Sequence, residues 1–161
     1  MLPKPPRFET LIQALNSEGV RFVVIGGLAL ILHGGRHTTF DTDLAVVLDS
    51  ENASAIVRAL APFQPYPVHL PEGTPFVWDE RSIRGQAVSL RSDCGDIDLL
   101  LVVPGVDSMA GLFARSVTRE IGGRAFRVAS LDDLEAMKRE AGRPQDLAHL
   151  DELARIRKAM Q

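Results

Sequence analysis

Cysteine, tryptophan and tyrosine are scarce in this chain, whose 161 residues contain one of each. Since Cys94 is the single thiol, an intrachain disulfide and a cysteine-rich zinc site are both excluded. The chain also lacks an apolar stretch near the ~20 residues that a membrane-spanning helix needs, so we expect no membrane partner. Residues 1–6 lack the apolar centre of a signal peptide, which favours a cytoplasmic protein.

The chain also lacks a strong excess of positive or negative charge. The formal net charge of −3 argues against indiscriminate nucleic-acid binding through the whole surface. The length fits a single domain over residues 1–161 that can bury a core. Within it we expect a core over about residues 1–105 and a C-terminal hairpin with helices over about 106–161.

The spacing of apolar residues, together with glycine and proline, predicts an α/β (α+β) domain with a small mixed sheet and a helical C-terminus. Residues 62–80 are rich in proline and predict mostly loop. The predicted elements are a helix from Phe8 that ends at Gly19, a strand over 21–25, a buried helix over 28–32, a strand over 41–48, a helix over 51–61, strands over 86–91 and 97–103, a helix over 109–115, a hairpin turning at Gly122-Gly123, a helix from Ser130 to about Gly142, and a last helix from Pro144 with Leu147, Leu150 and Leu153 facing inward.

Two aspartates begin the second strand, separated by one residue. Because side chains at i and i+2 of a strand point to one face, Asp41 and Asp43 project together and Thr42 points away. Two carboxylates this close repel one another unless a cation neutralises them, and oxygen-rich sites suit Mg²⁺ or Mn²⁺. The pair is therefore a candidate metal site. The structural alternative is a capped, solvated start of a strand.

A third aspartate, Asp98, stands alone in the apolar run from Ile97 to Val103. An ionised carboxylate buried among leucine and valine is costly unless a metal or a cationic partner compensates it. On a neighbouring strand it would complete a clamp for two metals about 4 Å apart, which favours nucleotidyl or phosphoryl transfer. Asp96 shares the face of Asp98 but lies nearer the strand entrance, so we expect it to be exposed or to support the ligands.

Gly26 and Gly27 close the first strand and lead directly into the next helix. Without side chains they let backbone N–H groups approach a phosphate, and the helix N-terminus adds a favourable dipole. A tight strand-to-helix turn is the structural alternative. Residues 28–40 suffice for a helix and a return into the second strand, which would bring Asp41 and Asp43 beside the glycine turn.

Four charged side chains, three of them in the C-terminal half, are candidates for nucleotide binding. Lys138 lies on or beside the apolar stripe of its helix, where it either reaches a triphosphate or snorkels to solvent. Arg36, Arg143 and Asp146 are weaker candidates. Asp146 could instead stabilise its helix N-terminus through the dipole.

The histidines show no common metal-ligand spacing. His37 is close in sequence to the carboxylates and either contacts substrate or is an ordinary loop histidine. The other histidines are His33, His69 and His149.

These motifs resemble the DNA polymerase β-type nucleotidyltransferase superfamily, in which a Gly-Gly or Gly-Ser turn precedes Asp-x-Asp and a lone aspartate follows in a later strand. The segment from Gly26 to Leu44, with Arg36, Thr39 and both strand aspartates, resembles the bacterial AbiEii-like nucleotidyltransferases. That family is known chiefly as toxins of toxin–antitoxin pairs. Residues 129–147 resemble the C-terminal motif of the same family.

The resemblance implies the nucleotidyltransferase fold and a Mg²⁺-dependent (or Mn²⁺-dependent) transfer of NMP from an NTP to a hydroxyl group. It implies that Asp41 and Asp43 bind the metals bridging the triphosphate, and that Asp98 binds the catalytic metal and helps to activate the acceptor. Relatives use tRNA ends, proteins or small molecules as acceptors, so the resemblance does not fix the acceptor. tRNA or a protein is a candidate acceptor, and an antitoxin is a candidate partner. The implied nucleotide-binding residues are Gly26, Gly27, Arg36, Thr39, Lys138, Arg143 and Asp146.

Three hypotheses follow. The leading hypothesis is an active nucleotidyltransferase. A toxin that acts on RNA is one form of this hypothesis. The second is a non-catalytic module of the same fold that binds nucleotide or a partner protein. It is motivated by Gln145, where a lysine is common, and by His149, where an aspartate is common. The third, an interaction or antitoxin-type subunit, leaves Asp98 without an explanation.

Overall fold

A seven-stranded mixed sheet forms the centre of the computed structural model, which describes residues 4–161. Across the sheet the strands run in the order β3-β4-β5-β2-β1-β7-β6. The central strand β2 is antiparallel to β1 and parallel to β5. In chain order the strands are β1 Phe22–Ile25, β2 Asp41–Val46, β3 Tyr66–Pro67, β4 Ala87–Arg91, β5 Asp96–Leu100, β6 Val117–Ile121 and β7 Arg124–Val128.

Helices in the described residues form two groups. The first helix packs on the third and also contacts β7, while the last two helices pack on each other. The second helix contacts β1 and β2 as well as the last two helices, so it connects the helical C-terminus to the central strands. The α-helices are α1 Phe8–Ser17, α2 Gly26–Leu32, α3 Ser50–Leu60, α4 Met109–Arg115, α5 Leu131–Ala141 and α6 Pro144–Ala159, and short 3₁₀ helices cover Ala61–Phe63 and Glu80–Ser82.

The two central parallel strands, β2 and β5, direct buried side chains to one face of the sheet and carboxylates to the other. Thr42 and Leu44 of β2 are buried, and so are Ile97 and Leu99 of β5, with Thr42 opposite Ile97 and Leu44 opposite Leu99. The residues between them are aspartates on the other face. Because the side-chain period of a strand is 2, a register shift of one residue would place the carboxylates in the core. Burial on one face therefore fixes which side chains occupy the other.

The predicted mixed α/β architecture is confirmed. Helix α4 has the predicted bounds, and β6 and β7 form the hairpin that turns at Gly122-Gly123. Helix α5 begins after Ser130, whose side-chain oxygen accepts a hydrogen bond from the Asp133 N–H at 3.1 Å. It ends at Gly142, which adopts the left-handed φ of +61° that favours glycine at this position. Local sequence signals determine these elements.

Two predicted strands are shorter in the structure. The strand expected over 97–103 ends at Leu100, because the N–H groups of Leu101 and Val102 both turn to the carbonyl of Gln86, at 2.8 and 3.1 Å. The strand expected over 41–48 ends at Val46.

The prediction that Leu147 faces inward is wrong. Leu147 is 58% exposed, whereas Asp146 beside it is fully buried. Consecutive helical side chains point about 100° apart, so the burial of Asp146 turns Leu147 to solvent. Further along α6, Leu153 is buried as predicted. The helix expected over 28–32 begins earlier, at Gly26, and buries only Ala29 and Leu30.

The C-terminal hairpin extends the same sheet that carries β2 and β5. β7 lies parallel to β1, with Val24 opposite Val128, and the Ala129 N–H donates to the Val24 carbonyl at 3.0 Å. The segment after residue 105 therefore shares its sheet with the segment before it.

Two other expectations concern the thiol and the bilayer. Cys94, the single thiol, is 1% exposed and belongs to the buried core. Among residues 4–161, no helix combines the length and the apolar character that crossing a bilayer requires.

Asn52, in the first turn of α3, links the segment before β1 to the segment after β2 by hydrogen bonds. Its side-chain oxygen accepts the Arg21 N–H at 2.8 Å, and its amide donates to the carbonyls of Arg21 and Val47 at 3.1 and 2.7 Å. It is 1% exposed, so no solvent replaces these bonds when they are lost. Buried backbone groups left without partners are costly.

We therefore expect Asn52→Ala to lower the free energy of unfolding by roughly 2–3 kcal/mol, measured by urea denaturation. Arg58→Ala, on the same helix, is the matched control. Arg58 forms an exposed ion pair with Glu18 at 2.9 Å, and such pairs contribute at most about 1 kcal/mol. Equal losses in the two variants would contradict the role assigned to Asn52.

Candidate functional site

Four carboxylates meet on the open face of β2 and β5. The parallel register sets Asp43 opposite Asp98 and Asp41 opposite Asp96. Thr42, between Asp41 and Asp43 on β2, is 1% exposed and points to the core, as predicted. The strands therefore bring together the carboxylates that the motif suggested.

The environment raises the pKa of two of these carboxyl groups, those of Asp41 and Asp43. Burial is the largest cause that raises the pKa of Asp43, to about 7, followed by the charge of Asp98 and a hydrogen bond to it. The charge of Asp41 adds to this shift, and the ammonium of Lys138 partly offsets it. Burial also raises the pKa of Asp41, with contributions from the charges of Asp98 and Asp96. A multivalent cation would relieve this repulsion.

Asp98 is not buried among leucines, contrary to the expectation from its apolar run. It is half-buried on the open face, because Ile97 and Leu99 on either side of it point to the core. Asp96 is half-buried too, and its Oδ1 is buried with no hydrogen-bond partner among the described residues. The four oxygen-bearing side chains fit the hard oxygen ligands that Mg²⁺ and Mn²⁺ prefer.

The glycine turn lies directly against the carboxylates. Gly26 follows Ile25, which pairs with Asp43 across β1 and β2. Gly26 has a φ of +71°, and a Cβ at this position would overlap the Asp43 carboxylate. A Cβ at Gly27 would lie 3.0 Å from His37 Nε2 and 3.4 Å from Thr39 Oγ1. Both the conformation and the close approach therefore require glycine at position 26.

Lys138 and Arg143 form the cationic side of the site, and Asp146 holds them both. Lys138 is 8% exposed, and its Nζ lies 3.3 Å from Asp146 Oδ1. Arg143 Nε donates to Asp146 Oδ2 at 2.8 Å. The Arg143 hydrogen bond is the main cause that lowers the pKa of Asp146 to about 2, against its burial and with help from Lys138. The buried carboxylate thus orients two cations, and Lys138 does not snorkel to bulk solvent.

A cleft of about 410 Å³ unites most of the predicted site residues. A second cavity of about 360 Å³ adjoins it at Asp43, Lys138 and Arg143, and it also contacts Gly26 and Asp146. Its other walls are largely apolar, since Leu134 and Met137 are among them. The predicted residues that line the larger cleft are Gly27, His37, Thr39, Asp41, Asp43, Asp98, Lys138 and Arg143.

Arg36 was predicted to bind nucleotide, but it lines neither of these two cavities. It is exposed and lines a separate cavity with Gly34, Gly35 and Arg155. Its backbone N–H donates a hydrogen bond to the Glu152 carboxylate, so the contact of Arg36 with α6 is made by its main chain.

A cluster of His37, His149 and Glu152 was missed in the sequence. His37 Nδ1 lies 2.7 Å from Glu152 Oε2, and the two imidazole rings are 4.7 Å apart. Burial, followed by the charges of Lys138 and His37, lowers the pKa of His149. Burial alone would raise the pKa of Glu152, but hydrogen bonds from the Arg36 N–H and His37 lower it. The spacing of His149 and Glu152, three residues apart on one helix, was the available signal.

Comparisons with known proteins support the fold. No family model and no curated protein matches the chain. A proposed nucleotidyltransferase from Thermotoga maritima, TM1012, is 20% identical with a TM-score of 0.52, and the match covers 94% of this chain and 89% of that one. The antibiotic-resistance factor ANT(2'')-Ia is 12% identical with a TM-score of 0.60 over 95% and 82% of the two chains. Its complex with adenylyl-2''-tobramycin is 14% identical with a TM-score of 0.60 over 95% and 87%. The chain thus has the nucleotidyltransferase fold.

The contact between Gly26 and Asp43 gives a matched pair of stability variants. Gly19 has the same φ of +71° as Gly26, but a Cβ at Gly19 would meet nothing within 4 Å. We expect Gly19→Ala to lose about 1 kcal/mol from backbone strain alone. Gly26→Ala should lose roughly 1–3 kcal/mol more, because the Cβ also displaces the Asp43 carboxylate. Equal losses in urea denaturation would show that the overlap is harmless.

Carboxylate repulsion predicts that a site variant gains stability. Asp43→Asn removes one charge from the crowded face, so we expect a melting temperature about 2–4 °C higher without divalent ions, the shift that ~1 kcal/mol gives at this size. Adding Mg²⁺ should stabilise the original protein and not the variant, because a bound ion stabilises only the protein that binds it. Calorimetry with and without Mg²⁺ tests both points. A destabilised variant would refute the repulsion.

Proposed function

We propose that this protein is a metal-dependent nucleotidyltransferase, which moves NMP from an NTP to a hydroxyl group and releases pyrophosphate. The observation that carries the proposal is the register of β2 and β5, with Asp43 opposite Asp98 and Asp41 on the same open face. This face adjoins the glycine turn and a cleft of about 410 Å³.

Asp41, Asp43 and Asp98 are the residues that would hold Mg²⁺ or Mn²⁺. When bound, such ions neutralise the triphosphate and stabilise the charge that develops on its oxygens. We assign Asp98 to the acceptor side, where its carboxylate can take the proton of the attacking hydroxyl. Asp41 and Asp43 share one strand and are assigned to the nucleotide side.

The cationic groups are assigned to the phosphates. Lys138 and Arg143 line the same cleft as the carboxylates, and the buried Asp146 orients both. Their charges would offset the negative charge that grows on the pyrophosphate as it leaves. We assign Gly26, Gly27 and Thr39 to the walls of the phosphate site, and Asp146 to the positioning of the two cations rather than to a nucleotide contact.

Support for group transfer also comes from one structural neighbour. ANT(2'')-Ia is described as an antibiotic-resistance factor and in complex with adenylyl-2''-tobramycin. By analogy, an NTP would be the donor substrate here. The adjoining apolar cavity at Leu134 and Met137 offers room for a nucleoside beside the phosphates.

Different relatives suggest different acceptors and biological roles. The resemblance to AbiEii-like proteins favours tRNA or a protein as the acceptor and a toxin controlled by an antitoxin. A small hydroxyl compound is the acceptor class that ANT(2'')-Ia suggests. Gln145 and His149 both line the cleft, so the departures from the family motif fall where substrate would bind.

The proposal predicts label transfer from an α-labelled NTP in the presence of Mg²⁺, tested with bulk tRNA, lysate protein and aminoglycosides as acceptors. Asp43→Asn and Asp98→Asn should each lower transfer more than about 100-fold, because even outer partners of metal ligands contribute 10- to 100-fold. Excess EDTA should abolish transfer by the original protein.

Asp151→Asn is the control, since this exposed carboxylate of α6 is not among the residues that line the cleft. Undiminished transfer by Asp43→Asn would refute the proposal. Mg²⁺-dependent NTP binding without transfer to any acceptor would instead support the non-catalytic binding module.

A further inference from the structure

A second set of metal-ligand atoms lies beside the carboxylate cleft. His37, His149 and Glu152 each offer one ligand atom, and these atoms lie within 4.8 Å of one another. His149 and Glu152 occupy one face of α6, three residues apart, while His37 comes from the segment between α2 and β2. The cluster therefore joins two segments that are distant in sequence.

The donor types differ from those of the carboxylate site. Two imidazoles and one carboxylate form the His₂Glu set that holds zinc in several enzymes, whereas Mg²⁺ prefers oxygen ligands. Imidazole donors favour the later transition metals. A cation bound here would thus belong to the zinc class, and Mg²⁺ would remain at Asp41, Asp43 and Asp98.

Two ring nitrogens of the cluster have no hydrogen-bond partner among the described residues. His149 Nδ1 is buried and has no hydrogen-bond partner among the described residues, and the same holds for His37 Nε2. Buried ring nitrogens without partners are rare, because they lose the bonds that water would make. A metal ion at His149 Nδ1 would satisfy that atom without a proton donor.

Glu152 already has the support that metal-binding carboxylates usually have. Its side chain is 8% exposed, and its Oε1 accepts the backbone N–H of Arg36. This bond leaves Oε2 directed at His37 Nδ1, 2.7 Å away. Outer hydrogen bonds of this kind fix the orientation of ligands before the ion arrives.

Nearby positive charge opposes a cation and is only partly offset, because two cations share one carboxylate. Lys138 is close enough to lower the pKa of His149, and Arg143 lines the same cleft. Both cations are paired with the buried Asp146. The carboxylate of Glu152 supplies the compensating charge within the cluster itself.

We propose that His37 Nδ1, His149 Nδ1 and Glu152 Oε2 form a binding site for a zinc-class divalent cation, separate from the carboxylate site. In the ion-free protein the proton on His37 Nδ1 bridges to Glu152. On binding, that proton moves to His37 Nε2 or to solvent, and the ion takes its place between the two side chains. His37 and His149 also line the cleft of the carboxylates.

Titration of the 161-residue chain with Co²⁺ under excess Mg²⁺ tests the proposal, since tetrahedral Co²⁺ absorbs far more strongly than octahedral Co²⁺. We expect one equivalent to bind with strong visible bands, and Zn²⁺ to displace it. His149→Ala and Glu152→Gln should each weaken Co²⁺ binding more than about 100-fold. Asp43→Asn should retain the bands, and so should His69→Ala, which removes an exposed loop histidine.

Three results would overturn the proposal. One is the absence of stoichiometric Co²⁺ and Zn²⁺ binding to the original protein. Another is binding that survives in both His149→Ala and Glu152→Gln, when circular dichroism shows both variants to be folded. The last is loss of the bands in Asp43→Asn, which would locate the ion at the carboxylates. None of these results depends on nucleotidyl transfer.

Discussion

Parallel pairing between β2 and β5 is the constraint on which the rest of the site depends. It sets Asp43 opposite Asp98 on one face while Leu44 and Leu99 pack on the other. Hydrophobic burial stabilises that register, because a slip of one residue would exchange leucines for carboxylates in the core. The packing energy of the core thus holds the like-charged carboxylates close together against their electrostatic repulsion.

The compensating charges come from a different part of the chain. Helices α5 and α6 present a polar inner side, in which the buried Asp146 orients Lys138 and Arg143 toward the carboxylates. This arrangement explains why α6 lacks a clean apolar stripe. Its early turns contact the cleft, and only later residues such as Leu153 join the core.

Local chemistry made much of the fold predictable, and the strand aspartates with it. Caps and glycines marked the ends of α5, and the two-residue period placed Asp41 and Asp43 on one face. Long-range contacts were not accessible in this way. The neighbours of Asp98 suggested burial, but the sheet leaves its face open, and His37 meets Glu152 only through the tertiary fold. Which side of α6 faces inward likewise depends on a buried ion pair that hydrophobicity does not signal.

The separation of the two halves of the site along the chain has a consequence during protein synthesis. The glycine turn and all three carboxylates leave the ribosome well before α6, which carries Asp146 and follows the helix of Lys138. Domains generally gain their long-range contacts late, because loop closure must precede them. A nascent chain that has reached β5 therefore contains all three carboxylates but not yet the cations that complete the cleft. Translation itself delays the assembled site until the last helix has emerged.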